Sequence, residues 1–507
     1  MPGRSPPRRT TSTRALAALA TGAVGAALVA AGCGPAVEDA RTAEIASVMV
    51  RADLPLLRTR PSLVAGKYAR MAADPYAFFR GTVPLYLHDF RNDRLGIGAS
   101  AFAADAPLVL SLGDAHFENF GVLIGQDGVP ALEPNDFDGA DRTAYLWDVR
   151  RLAVTMALVA RLSNTDDADA QAAAVAVAPD LAFAAARSYA ATMRALANGA
   201  PRTRVVDPED SEILIDLFER SAEDTAARTE LEELTTVESG ARRLRRGNLD
   251  PEEPDSVALD LPAWFLAALP AALDGYRGTL IDPPAAGFFE VLDAVRELGG
   301  GIASYPRVRT LVLVRGPSDD PGDDVILELK ELPDSAVLPH APPEVAFDTV
   351  QDRILTTSRA AWAVPSAAPL WGTSEIAGMP VQVRLEAAGQ KTLRVRRLRG
   401  KRGTPEALAD IAVRLGAILA RIHAAPLPPE NASPAEAIAA ITGDDPDAFA
   451  ADHAAVADVA AAEVLLDFAR FGDALDVLGP TLGVLADPAD APSADLAALY
   501  DGVPPSP

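Results

Sequence analysis

The sequence predicts an α+β protein built as two lobes, a large helical one and a smaller β-rich one. Three observations carry this expectation. Ala and Leu recur at spacings of three and four through most of residues 146–298, which places them on one helix face. The pattern changes at the triple glycine Gly299-Gly300-Gly301, beyond which β-branched, alternating segments follow. The chain has 507 residues, 49% apolar and 23% charged, enough for two such cores.

The elements follow in chain order. Arg4, Arg8, Arg9 and Arg14 form a positive start, Ala15 to Gly32 is an Ala/Gly/Val/Leu run, and it ends in "LVAAGC". This resembles a bacterial lipoprotein signal over residues 1–32, cleaved before Cys33 with lipid on its thiol. Cys33 is the sole cysteine, so no intrachain disulfide or thiolate metal cluster is expected. A tether over 33–60 leads to the helical lobe, 61–298. Its helices are expected at Leu146–Leu162, Ala168–Ala197, Ser211–Arg220, Leu261–Leu273 and Gly287–Leu298. "ARRLRRG" (Ala241 to Gly247) is a basic island, read as a helix face paired to neighbouring acids. The small lobe spans 299–400. It holds strands in "YPRVRTLVLVRG" and "DDVILELKEL", a helix Phe347–Trp362, and strands in "PVQVRLEA" and "KTLRVRRL". Residues 401–507 add a helix, Pro405–Ala425, and an Ala/Asp-rich helical tail.

Net charge is −25, which argues against non-specific nucleic-acid binding and against docking on anionic lipid through a basic patch. Beyond the leader no run of 18 apolar residues free of charge occurs.

Residues 107–138 carry the chemistry. An apolar run ends in Gly113-Asp114, Asn119 follows five residues later, and a hairpin returns to Asp136-Phe137-Asp138. Phosphoryl transfer needs such a set: one carboxylate to orient the attacking hydroxyl, and an Asn and an Asp to hold Mg²⁺ on the phosphates. Asp114 is the candidate base, and Asn119, Asp136 and Asp138 are the candidate metal ligands. Read individually, each is also an ordinary turn residue. Lys330 is one of only four lysines, with Lys67, Lys391 and Lys401. Strand alternation puts it on the face opposite Val325, Leu327 and Leu329. There it can reach phosphates, or pair with Glu328 or Glu331.

"GDAHFENF" and "NDFD" resemble the catalytic and metal loops of aminoglycoside-phosphotransferase-like kinases, without the leading His. More closely, "RMAADPYAFFRG", "GDAHFENFG", "NDFDGA", "WDVRRLA", "LELKEL" and "LARIHA" resemble the bacterial family catalogued as domain of unknown function 2252 (DUF 2252). The kinase resemblance implies a kinase-like two-lobed fold. Because the catalytic loop precedes Lys330, that fold is circularly permuted, with the strand lobe packed over 107–138. It implies ATP or another nucleotide with Mg²⁺, and an acceptor the sequence does not identify. Lys330, Gly299, Gly300, Gly301 and Arg80 then face the nucleotide phosphates, and Asp148 supports the catalytic-loop backbone. Kinases hold the Lys with a helix carboxylate. Glu344, Asp348 and Asp352 are available, but Thr356 stands where the related family usually has Glu.

Two other classes compete. One is a catalytically silent nucleotide- or ligand-binding lipoprotein, exported to the bacterial cell envelope and anchored at Cys33. The other is a metal-dependent hydrolase or nucleotide-sugar transferase, suggested by "GDAH" and "DFD". Its histidines are too few, since only His88, His116, His340, His423 and His453 occur. A Ser-His-Asp hydrolase is disfavoured because Gly-x-Ser-x-Gly is absent.

Overall fold

The computed structural model describes residues 39–104, 106–249, 256–337, 346–426 and 432–500. The leader and Cys33 lie outside the described residues. Four helices come first: α1 (Ala40–Thr59), α2 (Pro61–Ala73), α3 (Pro75–Gly81) and α4 (Val83–Arg91). Prolines in the first turn break this run into separate helices, because a missing N–H is harmless there. Asp39 and Asp74 cap α1 and α3 through their carboxylates. Most of the expected tether is thus a helix. Ile45, Met49 and Leu57 of α1 are buried beside Phe471, so this segment belongs to a core.

Strands β1 (Leu108–Ser111), β2 (Phe120–Ile124), β3 (Pro130–Pro134) and β4 (Asp141–Ala144) surround the motif region. The helices α5 (Leu146–Leu162), α6 (Ala168–Ala176), α7 (Ala178–Ala197), α8 (Glu212–Ala227) and α9 (Thr229–Leu234) follow. Then come a hairpin of β5 (Thr235–Glu238) and β6 (Ala241–Leu244), strands β7 (Gly247–Asn248) and β8 (Val257–Asp260), and helix α10 (Ala263–Arg277). The chain continues through β9 (Val291–Leu298), β10 (Arg309–Val314), β11 (Val325–Glu331), α11 (Val350–Ala361), β12 (Gly372–Ile376), β13 (Met379–Leu385) and β14 (Lys391–Thr392). It closes with α12 (Pro405–His423), α13 (Ala435–Thr442), α14 (Pro446–Leu478) and α15 (Ala494–Tyr500).

Helix α5 is buried on all sides, from Leu146 to Ala160, as expected of a helix at the centre of a core. Helices α7, α12 and α14 pack around it. The larger sheet has seven strands in the order β12-β13-β11-β10-β9-β8-β7, and every pairing is antiparallel. One face buries Val312, Leu327, Leu329 and Val383 against Phe265, Leu269 and Tyr276 of α10. On the other face, Leu311, Leu313, Ile326 and Val295 meet Leu231 and Leu244 from α9 and the β5–β6 hairpin. The rest of that face looks onto the 107–138 region.

Four expectations are corrected. Residues 291–298 form β9 rather than a helix, because pairing to β8 and β10 overrides a spacing that fits either period. The sheet therefore starts before Gly299. The basic island is strand β6 and its turn, although Arg246 does pair with Asp260 and Asp293. "KTLRVRRL" supplies only β14, which pairs with β2 instead of the large sheet, and then turns at Val395 to Arg397. The partner of β13 is β12, joined through Ala377 and Gly378, both at positive φ. Among the described residues no helix is long and apolar enough to cross a membrane.

Candidate functional site

The loop after β1 is held from behind. Asp148, in the first turn of α5, accepts the backbone N–H of Leu112 at 2.6 Å and of Gly113 at 3.1 Å. His423 Nε2 lies 3.1 Å from the same carboxylate, and its Nδ1 meets the Tyr189 hydroxyl at 2.9 Å. Gly113 has φ +72°, and a Cβ there would sit 2.0 Å from the Gly139 carbonyl oxygen. Glycine is therefore required where the Asp114 loop touches the Asp136–Gly139 loop.

Asp114 accepts from Arg151 Nε at 2.9 Å. Arg151 also donates to the Phe79 carbonyl and lies 3.5 Å over the Phe79 ring. Burial pushes the Asp114 carboxyl up to about 6, against the opposing pull of Arg151. His116 accepts from the Glu118 N–H through Nδ1, which leaves the Nε2 proton facing Asp114 Oδ2 at 3.5 Å. Burial, aided by Arg80 and Arg151, drives its pKa well down and keeps it neutral. Asn119 Nδ2 donates to the Asp114 carbonyl at 2.7 Å. Its amide oxygen is thereby the group left to meet a cation.

The second loop is anchored by Phe137. Its ring lies edge-on to Trp362 at 5.5 Å and to Trp371 at 5.7 Å. Arg353 of α11 donates to the carbonyls of Asp138 and Ala140. These contacts set Asp136 and Asp138 against β11, where Lys330 Nζ stands 2.6 Å from Asp138 Oδ2 and 3.8 Å from Asp136 Oδ1. About 190 residues of chain thus close onto one point. Burial alone would raise Asp136, but Lys330 holds it below the usual carboxylate range. Asp138 is pushed up by burial and by Asp136. Its Oδ1 is buried without a partner.

A cleft of about 1210 Å³ joins these groups. Its floor carries Asp114, Asn119, Asp136 and Asp138. Its roof, on the strand side, carries Arg309, Lys330, Gln382 and Arg384. The neighbours first weighed as partners for Lys330 are engaged elsewhere. Glu331 binds Arg60, and Glu328 binds Arg309 and Arg384. Asp352 is exposed, Thr356 lies within 3.4 Å of it, and Glu344 lies outside the described residues. Lys330 therefore takes its carboxylate from the Asp-Phe-Asp loop and not from α11.

The structure brings Asp114, Asn119, Asp136, Asp138, Lys330 and Arg80 to this cleft, together with Gly301. Gly299 and Gly300 stay behind in the β9–β10 connection and do not line it. Arg80 donates to Glu118 at 2.9 Å, and Arg394 binds the same carboxylate. Sequence reasoning missed Arg151, Glu118, Arg353, Gln382 and Arg384. "WDVRRLA" and "GDAHFENF" contained the first two without showing what they touch.

The donor set on the floor is two carboxylates and an amide oxygen, with one buried carboxylate oxygen unpartnered. Such hard oxygen ligands fit Mg²⁺.

The profile of a family described as "Uncharacterized protein conserved in bacteria (DUF2252)" matches residues 58–474. No curated protein and no solved structure matched the chain.

Proposed function

The chain belongs to the DUF2252 family of proteins conserved in bacteria, and from its cleft we propose a Mg²⁺-dependent, kinase-like phosphotransferase. ATP, or another nucleotide, is the donor class that the loop motifs imply, and the acceptor is a hydroxyl compound of unassigned identity. The observation that carries the reading is the convergence of Lys330 on Asp136 and Asp138, beside Asp114 and Asn119.

The chain order of the sheet supports it. A glycine-bearing connection joins β9 to β10, Lys330 lies on the next strand, and a helix and two strands follow. Protein kinases likewise carry a Gly-rich loop over the phosphates and a Lys on the third strand. On this reading the fold is a circular permutation of that arrangement, in two lobes.

Lys330 would contact donor phosphates, and Asp136 and Asn119 would hold Mg²⁺, with Asp138 fixing Lys330 or joining the metal. A bound Mg²⁺ would neutralise the phosphate charge that accumulates in transfer. Asp114 would accept the proton of the attacking hydroxyl. Its pKa near 6 suits a base working near neutrality. Arg151 fixes one of its oxygens, and His116 Nε2 faces the other at 3.5 Å.

Thermal melts with and without Mg-ATP test the reading. Asp136→Ala should lose the ligand-induced shift, whereas Asp114→Ala should keep it and lose transfer. If both variants melt well below wild type and neither loses the shift selectively, the assignment fails. The Lys330–Asp138 pair also favours a second reading, a silent binder, since here Lys330 is held by the metal loop itself. That reading predicts a Mg-ATP shift with no turnover on any acceptor.

We further propose that Cys33 carries a lipid anchor and that the protein is exported to the cell envelope. Cys33→Ser should leave the precursor uncleaved and unlipidated. Normal processing and membrane fractionation of the variant would exclude this.

A further inference from the structure

The roof of the cleft is a row of hydrogen-bond donors, built by strand register. Arg309 on β10 lies opposite Lys330 on β11, which lies opposite Gln382 on β13. Residues directly opposite share a face, and Arg384 is two positions beyond Gln382 on that face. Of the five residues that this sheet contributes to the lining, Arg309, Lys330, Pro380, Gln382 and Arg384, one is aliphatic.

Two observations bear on what can lie beneath this row. First, Gln382 is 5% exposed, and its Nε2 is a buried donor without a partner at the cleft. A buried amide left unsatisfied is unfavourable by itself and favourable beside a ligand that accepts from it. Second, the apolar residues on the same sheet face are already covered. Leu311, Leu313, Ile326 and Val295 are 2% exposed or less and pack on Leu231 and Leu244. Among the described residues lining the cleft there is no Phe, Tyr or Trp, and its apolar members other than Pro380, such as Leu56, Val83, Leu87, Ile302 and Leu332, come from helices and connections and not from the strands of the roof. A purine needs an apolar or aromatic face to stack on, and the strands give it donors instead. Glu328 lies on the same face, bound to Arg309 and Arg384, and Glu297 stands opposite Arg309, but neither carboxylate lines the cleft.

We infer that the phosphoryl donor is an inorganic polyphosphate, whose successive phosphates run from Lys330 along Gln382 and Arg384 where a nucleoside would otherwise lie. This rests on the phosphotransferase reading and narrows its donor from a nucleotide to a base-free chain. The terminal P–O bridge of the chain breaks and a P–O bond to the acceptor oxygen forms. The acceptor proton passes to Asp114, and a polyphosphate shorter by one unit leaves.

Calorimetric titration of the full chain with linear tripolyphosphate, a medium-chain polyphosphate and ATP, each with and without Mg²⁺, tests this. The polyphosphates should bind only with Mg²⁺, and about tenfold or more tighter than ATP, given the strength of hydrogen bonds to charged groups. Gln382→Glu should weaken polyphosphate about tenfold or more. Gln382→Leu should weaken it too while leaving the ligand-free melting temperature unchanged or higher, because its Nε2 has no partner to lose. ATP binding as tightly as tripolyphosphate or tighter, or Gln382 variants that leave polyphosphate affinity unchanged, would overturn the donor assignment. Mg²⁺-dependent ATP binding lost in Asp136→Ala would then still stand for the broader reading. If neither ligand binds, both fall.

Discussion

The floor and the roof of the cleft are built by opposite routes. The floor is local: Asp114, Asn119, Asp136 and Asp138 fall within 25 residues and are placed by one loop and one hairpin. The roof is assembled from β10, β11 and β13, so Arg309, Lys330 and Gln382 meet only through strand register. The floor presents acceptors and the roof donors, so the cleft is polarised across its width. A chain of net charge −25 thereby collects cationic groups on one wall. The lesson is that a wall of cationic and amide donors can be hidden in an acidic sequence when its members are scattered along it.

The sharpest way to break this comparison is to remove the group that bridges the two walls. Lys330→Met leaves Asp136 and Asp138 crowded without their cation. Loss of one partner from a buried pair predicts destabilisation of about 3 kcal/mol and loss of donor binding. Chemical denaturation with and without a saturating Mg-ligand reads both effects. A variant as stable as wild type would mean that the walls are not coupled through this residue.

Gly113→Ala tests the floor alone. The new Cβ would meet the Gly139 carbonyl at a positive φ, which predicts a loss of about 2 kcal/mol or more. An unaltered melting temperature would contradict the close approach of the two loops.

Asp114 gives a comparable effect of opposite sign, and it depends on pH. The folded carboxyl titrates at about 6, above the unfolded value near 4. Between these values the folded state holds more proton than the unfolded one, so this group lowers stability as pH rises from about 4 to 6. Above pH 6 the whole penalty, about 2–3 kcal/mol, is present. Asp114→Asn should therefore melt higher than wild type at pH 8, and the two should converge near pH 4. Transfer by wild type should rise as pH passes through 6. A constant difference in melting temperature across that range would remove the buried-base description.

The smallest effect is expected away from both walls. Arg246, in the connection between β6 and β7, is bound to Asp260 and Asp293 and is exposed. Arg246→Ala should change stability by about 1 kcal/mol or less and leave ligand binding alone. A selective loss of binding would mean that the basic hairpin shares in the site.

How much of this was legible in the sequence follows the same division. The floor could be read because its residues are close neighbours and punctuated by Gly113 and Gly139, which signal loop contact. Lys330 could be read because lysine is so rare in this chain. The alternation of Val325, Leu327 and Leu329 also fixed its face, and those three residues are buried against α10. Gln382 and Arg384 could not be read, since nothing local marks which strand lies beside β11. The same blindness to pairing explains β9. Val291 to Leu298 suits a helix until β8 and β10 claim its backbone. Arg151 and Arg353 were hidden differently: each acts by holding a loop far from it in sequence.

The most direct test is titration of the purified protein with a phosphoryl donor, ATP and tripolyphosphate in parallel, in the presence and absence of Mg²⁺. Binding that requires the metal, and that disappears in Asp136→Ala while surviving in Asp114→Ala, is the result predicted. Binding indifferent to Mg²⁺ and to Asp136, or none with either donor, would contradict the account.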